Sequence, residues 1–354
     1  MNKGIYDPIP AMELKEISER YDELEAEGLS AIRRGEVAAV LLAGGMGTRL
    51  GFDAPKGTFN IGQNRPLYIF ECLINNLKEV TDKAGVSVPL YIMTSDKNDE
   101  ATRSFFDEHD YFGYPRSDIK FFKQAMAEAV DFEGNVLYEA PGKPATSPNG
   151  NGGWFHSLKE VGYDKDMRQR GVKWINIFAV DNVLQRICDP VFIGATVLSG
   201  KVSGSKVVSK AAPDERVGLL ILEDGHPSIV EYYELPTEIA EEKDEDGRLK
   251  YRYGVILNYL FEINELERIV DTELPLHKVE KKIPYINESG ELIHPEKPNG
   301  YKFELLILDM VRLMKDNLAF EVEREREFAP VKNLHGTDSV DSARELLVKN
   351  GVEI

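Results

Sequence analysis

Cysteine is scarce in this chain of 354 residues, which holds only Cys72 and Cys188, each within an apolar stretch. Two thiols in such surroundings are expected to be buried and reduced, so they indicate neither a disulfide nor a cysteine metal site. The six histidines include no pair at the spacing that places two ligands on one helix face. The sequence therefore predicts no zinc centre.

Long apolar runs are also missing. No segment is an uninterrupted apolar stretch long enough to span a bilayer, and the first ten residues contain no apolar core of signal-peptide length. The sequence therefore predicts a cytoplasmic protein with no membrane partner.

Positive charge is in deficit, because 43 lysines and arginines stand against 61 aspartates and glutamates, for a formal net charge of −18. Nucleic-acid-binding surfaces are usually basic, so this balance argues against a nucleic-acid partner. An acidic protein that binds a phosphorylated ligand has to gather its cations locally, with a divalent ion to assist them.

The most informative stretch runs from Leu41 to Gly51 and continues into Pro55-Lys56-Gly57. It follows the apolar run 37–43, which predicts a strand buried on both faces of a parallel sheet. Three glycines within four positions then let the backbone turn close to a phosphate. Arg49 and Lys56 add cations suited to phosphate oxygens. We interpret the stretch as a nucleoside-triphosphate loop; the alternative is a tight turn without a ligand.

Two common glycine motifs fail in this loop. A dinucleotide fingerprint counted from Gly45 needs glycine at position 50, where Leu50 stands, and the Gly-Lys-Ser/Thr of a Walker loop is absent. The first failure disfavours a dehydrogenase on a doubly wound sheet.

Asp181 follows a second strong strand pattern, residues 173–180. Ligands of open α/β sheets bind at the carboxyl ends of strands, and carboxylate oxygens suit a hard cation. Asp181 is therefore a candidate magnesium ligand, with a helix cap as the alternative. At the other end of the chain, residues 11–27 predict one amphipathic helix, either a packing or dimerisation element or a solvated acidic helix.

The motif Leu-x-x-Gly-Gly-x-Gly-Thr-Arg-Leu-Gly followed by Pro-Lys-Gly resembles the signature of the UDP-sugar pyrophosphorylases, and within them the UDP-N-acetylhexosamine pyrophosphorylases. The resemblance extends from about Val37 to Asn333. It implies an α/β fold with a doubly wound, mostly parallel mixed sheet. We expect an N-terminal helical extension (1–35), a nucleotidyltransferase domain (36–335) and a short C-terminal tail (336–354).

The resemblance implies that UMP passes from UTP to a sugar 1-phosphate, with N-acetylglucosamine 1-phosphate the first expectation and Mg²⁺ the cofactor. The implied nucleotide contacts are Leu42, Ala43, Gly44, Gly45, Gln124, Gly150 and Asn151. Arg49 and Lys56 are implied to draw charge toward the leaving pyrophosphate, Lys302 to steer the sugar phosphate, and Asp181 to hold the metal.

Glu231 is implied to bond sugar hydroxyls, and Val255 stands where the family has an asparagine that contacts the N-acetyl region. Lys206 and Lys210 are possible phosphate partners, and Lys281 and Lys282 are weaker candidates. Two alternatives remain open: the same chemistry on glucose or galactose 1-phosphate, and a nucleotide-sugar sensor without catalysis.

Overall fold

Eleven strands form one mixed sheet at the centre of the chain. The computed structural model describes residues 4–354. The strands are β1 Tyr6–Pro8, β2 Ala11–Met12, β3 Val37–Leu42, β4 Leu90–Thr94, β5 Ile119–Lys123, β6 Met126–Glu128, β7 Val130–Asp131, β8 Tyr138–Ala140, β9 Lys143–Pro144, β10 Thr146–Pro148, β11 Trp174–Ala179, β12 Ser203–Ser209, β13 Leu219–Glu223, β14 His226–Val230, β15 Tyr253–Glu262, β16 His277–Lys281, β17 Tyr285–Ile286, β18 Leu292–Ile293, β19 Gly300–Glu304 and β20 Leu318–Glu321.

The helices lie on both faces of this sheet. They are α1 Leu14–Glu19, α2 Tyr21–Arg33, α3 Ile69–Ala84, α4 Asp99–Glu108, α5 Trp154–Glu160, α6 Tyr163–Arg170, α7 Pro190–Leu198, α8 Thr237–Ala240, α9 Ile263–Ile269, α10 Ile307–Leu313, α11 Arg324–Glu327 and α12 Val340–Lys349. The doubly wound α/β class that the sequence predicted is confirmed.

The strand order places four parallel carboxyl ends side by side. The main path is β2-β20-β12-β15-β11-β3-β4-β5, and its segment β11-β3-β4-β5 is parallel throughout. The chain runs outward from β3 through β4 to β5 and returns to β11 on the other side of β3. Ligands of open α/β sheets bind at such a switch in strand order.

Strand β3 shows why its sequence is apolar without alternation. Val37, Ala39 and Leu41 pack into one core cluster with α3, while Ala38, Val40 and Leu42 pack into a second cluster on the opposite face. Because both faces are covered, every position of the strand is apolar, as in parallel sheets generally.

The single helix predicted over residues 11–27 is wrong. The chain forms β2 and then two helices, α1 and α2, which are separated at Arg20 by a non-helical backbone (φ −112°, ψ 11°). Strand β1 pairs with β13 and β2 with β20, so the first residues described contribute to the central sheet. The domain boundaries at residues 35 and 335 stay a prediction.

Cys72 and Cys188 are both buried and unpaired, as predicted. Burial raises the pKa of the Cys72 thiol to about 12 and raises the pKa of Cys188 as well. Across residues 4–354, none of the helices is both long and apolar enough to cross a membrane.

Candidate active site

A cavity of about 530 Å³ opens at the carboxyl ends of β3 and β11, at the switch in strand order. It is lined by Leu42, Gly44, Gly45, Met46, Thr48, Arg49, Lys56, Met93, Gln124, Pro148, Asn151, Ala179, Val180, Asp181, Leu257 and Lys332. The structure thus brings together most of the nucleotide, cation and metal residues that the sequence predicted.

The glycine loop is held by hydrogen bonds to the carbonyls of Ala43 and Gly45. The amide of Lys56 donates to the carbonyl of Gly45 (3.2 Å), which closes the loop on itself. The side-chain amide of Asn98 donates to the carbonyls of Ala43 (2.8 Å) and Gly45 (3.3 Å). Asn98 is fully buried. No local pattern in the sequence predicts this role, because it depends on where the turn after β4 lies.

Lys56 has a partly buried ammonium, and no carboxylate within the described residues 4–354 forms an ion pair with it. Burial lowers the pKa of Lys56, and the charge of Asp181 offsets part of that effect. The charges of Arg49 and Lys332 lower the same pKa further. An ammonium that is desolvated and repelled by like charges gains free energy when an anion arrives, so this group of cations favours a phosphate ligand.

Lys332 is a residue of the cavity for which the sequence predicts no role. It follows Phe328-Ala-Pro-Val331, a segment that lies antiparallel to residues after β11 through the bridge of Asn182 with Pro330. The amine of Lys332, which lines the cavity, pairs with the carboxylate of Asp338 (3.1 Å). Lys332 and Asp338 lie far along the chain from the glycine loop. Only the tertiary fold therefore shows that Lys332 belongs with Arg49 and Lys56.

Asp181 lies just beyond the end of β11 and lines the cavity. The alternative that it caps a helix is wrong, because the next helix, α7, begins at Pro190 and is capped by Asp189, which accepts from the amide of Val191 (3.1 Å). Within residues 4–354, no cluster of three or more His, Cys, Asp or Glu could hold a metal. One carboxylate fits a magnesium ion that is bound mainly by substrate phosphates and water.

Gln124 and the glycine-rich segment 147–153 contribute further implied nucleotide contacts to the cavity. Gln124 follows β5, where its backbone amide donates to the carbonyl of Thr94 (2.9 Å). The side-chain oxygen of Asn151 accepts from the amide of Ile307 (2.9 Å), which leaves its two N–H donors for a ligand. Gly150 has φ +89°, and a Cβ there would lie 2.3 Å from the carbonyl oxygen of Leu305. The loop therefore requires glycine.

Glu231 and Val255 are not among the residues that line the cavity, but they lie together beside Gly218. A Cβ placed on Gly218 would be 3.6 Å from Val255 and 3.9 Å from the Glu231 carboxylate. Burial raises the pKa of Glu231, and the charge of Glu234 raises it further. No cation in the part of the chain that the structure describes forms an ion pair with this half-buried carboxylate, which therefore suits hydroxyl donors of a sugar.

Lys302 lies outside the residues that line the cavity. It lies on β19 opposite Val279 of β16, which places Lys281 on the same face of the hairpin. Burial lowers the pKa of Lys302, and the charges of Lys97 and Lys281 lower it further. The steering role of Lys302 stays a prediction.

The expectation that Lys206 binds phosphate is wrong. Its side chain is fully buried and forms ion pairs with Asp189 (2.9 Å) and Glu327 (2.5 Å). Lys210 is also turned away from the cavity, since its amine donates to the carbonyl of Pro213 (2.6 Å).

Known proteins resemble this chain over most of its length. A sequence profile of the family described as UTP--glucose-1-phosphate uridylyltransferase matches residues 6–349. UDP-N-acetylhexosamine pyrophosphorylase-like protein 1 from Mus musculus is 41% identical over 318 residues, which cover 87% of this chain and 63% of that protein. UDP-N-acetylglucosamine pyrophosphorylase from Saccharomyces cerevisiae is 39% identical over 346 residues, which cover 94% of this chain and 72% of that protein.

The crystal structure of the uridine diphosphate N-acetylglucosamine pyrophosphorylase from Trypanosoma brucei, solved with an inhibitor, gives a TM-score of 0.86 at 28% identity. The alignment covers 97% of this chain and 73% of that one. The fold is therefore that of a doubly wound α/β protein with a cavity at the switch in strand order. The chain belongs to the UTP--glucose-1-phosphate uridylyltransferase family. It spans about two thirds of the length of the curated relatives named here.

Proposed function

We propose that this protein transfers UMP from UTP to a sugar 1-phosphate and releases pyrophosphate, with N-acetylglucosamine 1-phosphate as the preferred acceptor. The observation that carries the proposal is the group of Arg49, Lys56 and Lys332 around one cavity, with Asp181 opposite, in a protein of net charge −18. The names of the mouse and yeast relatives support the same reaction and the N-acetylated sugar.

The reaction needs no nucleophilic side chain. The second proton of a phosphate monoester is lost near a pKa of about 6, so the attacking oxygen of the sugar phosphate is already anionic at neutral pH. The protein has to align two anions that repel each other. Arg49 and Lys56 stabilise the charge that develops on the leaving pyrophosphate, and Lys332 holds the phosphates near Asp181. When bound at Asp181, Mg²⁺ supplies charge neutralisation on phosphate oxygens.

The test is pyrophosphate release from UTP in the presence of Mg²⁺ and a sugar 1-phosphate. Lys56→Ala and Asp181→Ala are expected to lower kcat at least a hundredfold, whereas Lys15→Ala, an exposed lysine of α1, serves as the control. Full activity in both site variants would defeat the site assignment. A wild-type protein that binds UDP-sugar without turnover would support the sensor instead.

The acceptor is tested with the 1-phosphates of N-acetylglucosamine, glucose and galactose in the same assay. Val255 offers a methyl surface rather than a carboxamide, and an apolar contact discriminates only about 10- to 200-fold, far less than a built hydrogen bond. We therefore expect a modest preference for the N-acetylated sugar, and Val255→Asn should increase it. A cytoplasmic location is part of the proposal, and cell fractionation tests it.

A further inference from the structure

Lys206 occupies the centre of a buried ion cluster whose residues do not line the cavity. Its amine donates to Asp189 Oδ2 (2.9 Å), Glu327 Oε2 (2.5 Å) and the carbonyl of Arg186 (3.4 Å). The side chain is 0% exposed. An ammonium has three N–H donors, so these three acceptors satisfy it completely and leave none for a phosphate.

A buried ion cluster is weak evidence for stability alone. Removing charges from water costs free energy that their mutual attraction often fails to recover, and apolar residues of similar volume do as well or better. The better-attested use of such a cluster is to fix one arrangement of the chain. The role of Lys206 can therefore be inferred from the two chain segments that its ion pairs hold together.

Glu327 is the last residue of α11, and Lys332 follows it by five positions. The segment between them is joined to the residues after β11 by a continuous series of hydrogen bonds. Asn182 donates from its side-chain amide to the carbonyl of Glu327 (2.7 Å) and accepts from the amide of Ala329 (2.9 Å). The amide of Val331 then donates to the carbonyl of Asp181 (2.8 Å).

The cluster also holds the other side of the same junction. Asp189 caps α7, and Arg186 lies in the segment between β11 and that helix. Lys206 thus ties the chain after Asp181 to the chain before Lys332. A change of one ångström in the placement of a catalytic group can cost about a hundredfold in rate.

We propose that Lys206, through Asp189 and Glu327, is a positioning residue that sets Lys332 against Asp181. The effect on turnover rests on the proposed function. None of the cluster residues Arg186, Asp189, Lys206 and Glu327 is among the residues that line the cavity, so the cluster acts on turnover only through the segments it joins.

Lys206→Met is the main variant, since methionine keeps much of the volume and removes the charge. We expect kcat for pyrophosphate release to fall ten- to a hundredfold. In a Lys332→Ala background the same change should have less than a twofold effect, because the group that Lys206 positions is gone. Leu266→Ala in α9 is the matched control: it is a buried core change at the opposite end of the sheet, and its effect should be the same in both backgrounds.

Equal effects of Lys206→Met in the two backgrounds would overturn the proposal while leaving the proposed function intact. If the wild-type protein released no pyrophosphate, the proposed function would be wrong. The positioning role of Lys206 could still be tested, because a second measurement needs no turnover. In that measurement the rate of acetylation of Lys332 by an amine-reactive ester is followed by mass spectrometry. It should change severalfold in Lys206→Met and stay unchanged in Leu266→Ala, and an unchanged rate in both would overturn the proposal.

Should Lys206→Met fail to fold, Glu327→Gln replaces it. Glutamine keeps the side-chain shape and one acceptor but removes the charge that faces Lys206. The same non-additivity with Lys332→Ala and the same change in acetylation rate are expected. The proposal does not require the Lys332→Ala background or a change of pH to restore the activity of Glu327→Gln. If the separate effects of Glu327→Gln and Lys332→Ala on log kcat simply add, the proposal is contradicted.

Discussion

The empty space beside Gly45 gives a sharp test of the glycine loop. Gly45 lines the cavity, and a Cβ built on it meets nothing within 4 Å. Its backbone is outside the left-handed region, so alanine is compatible with the local conformation. Gly→Ala at such a position stabilises a protein by about 0.4–1 kcal/mol, because it restricts the unfolded chain. We therefore expect Gly45→Ala to keep or slightly raise Tm.

Nucleotide affinity should respond in the opposite direction. If the triphosphate fills that space, the added methyl displaces a phosphate from the loop amides. A hydrogen bond to a charged group contributes about 1.5–3 kcal/mol, and each 1.4 kcal/mol is a factor of ten in Kd. The Kd for UTP should therefore rise about 10- to 100-fold in isothermal titration calorimetry. The affinity for CTP should fall by the same factor, because the added methyl acts on the phosphates, which UTP and CTP share.

Gly44→Ala is the contrasting variant. A Cβ on Gly44 would lie 2.3 Å from the side-chain nitrogen of Gln124, so that amide has to move. We expect Gly44→Ala to reduce the preference for UTP over CTP, whereas Gly45→Ala leaves it unchanged. Wild-type UTP affinity in Gly45→Ala would refute the phosphate position, and so would a loss of several degrees in Tm without a loss of affinity.

Four further measurements follow from the charges and thiols. Glu231→Gln should raise Tm at pH 7.5, because a carboxyl whose pKa is raised by folding destabilises the fold once it is ionised. The gain in Tm should vanish below pH 4.5, the ordinary pKa of a glutamate, where the carboxyl is protonated in both the folded and the unfolded chain. Asp338→Asn should lower kcat by no more than about fivefold, because an exposed ion pair contributes little free energy. A larger loss of kcat in Asp338→Asn than in Lys332→Ala contradicts this. Iodoacetamide at pH 8 should label neither Cys72 nor the second thiol until urea unfolds the chain, since burial raises the Cys72 pKa to about 12. Calorimetry should show Mg²⁺ binding only with UTP present, because Asp181 is a single carboxylate; tight binding to the free protein would refute that view.

Local patterns predicted the strands that carry the site. The apolar runs before the glycine loop and before Asp181 became β3 and β11 within a residue or two at each end, because burial on both faces leaves a clear signal. The break at Arg20 was missed because the apolar spacing continues across it while the backbone does not. Residues whose role depends on distant contacts, such as Asn98 and Lys332, had no local signal of this kind.

Lys206 and Lys56 show why the remaining assignments need the fold. Both are lysines that the sequence connects with phosphate, and both are withdrawn from water. Lys206 meets carboxylates 17 and 121 residues away and is fully satisfied by them. Lys56 feels Asp181 only through space and is repelled by two other cations. The first charge is neutralised within the protein and holds the chain in place, whereas the second is left for a ligand. The partners, more than the residue type, separate a structural lysine from a binding one, and they are brought together only by the folded chain.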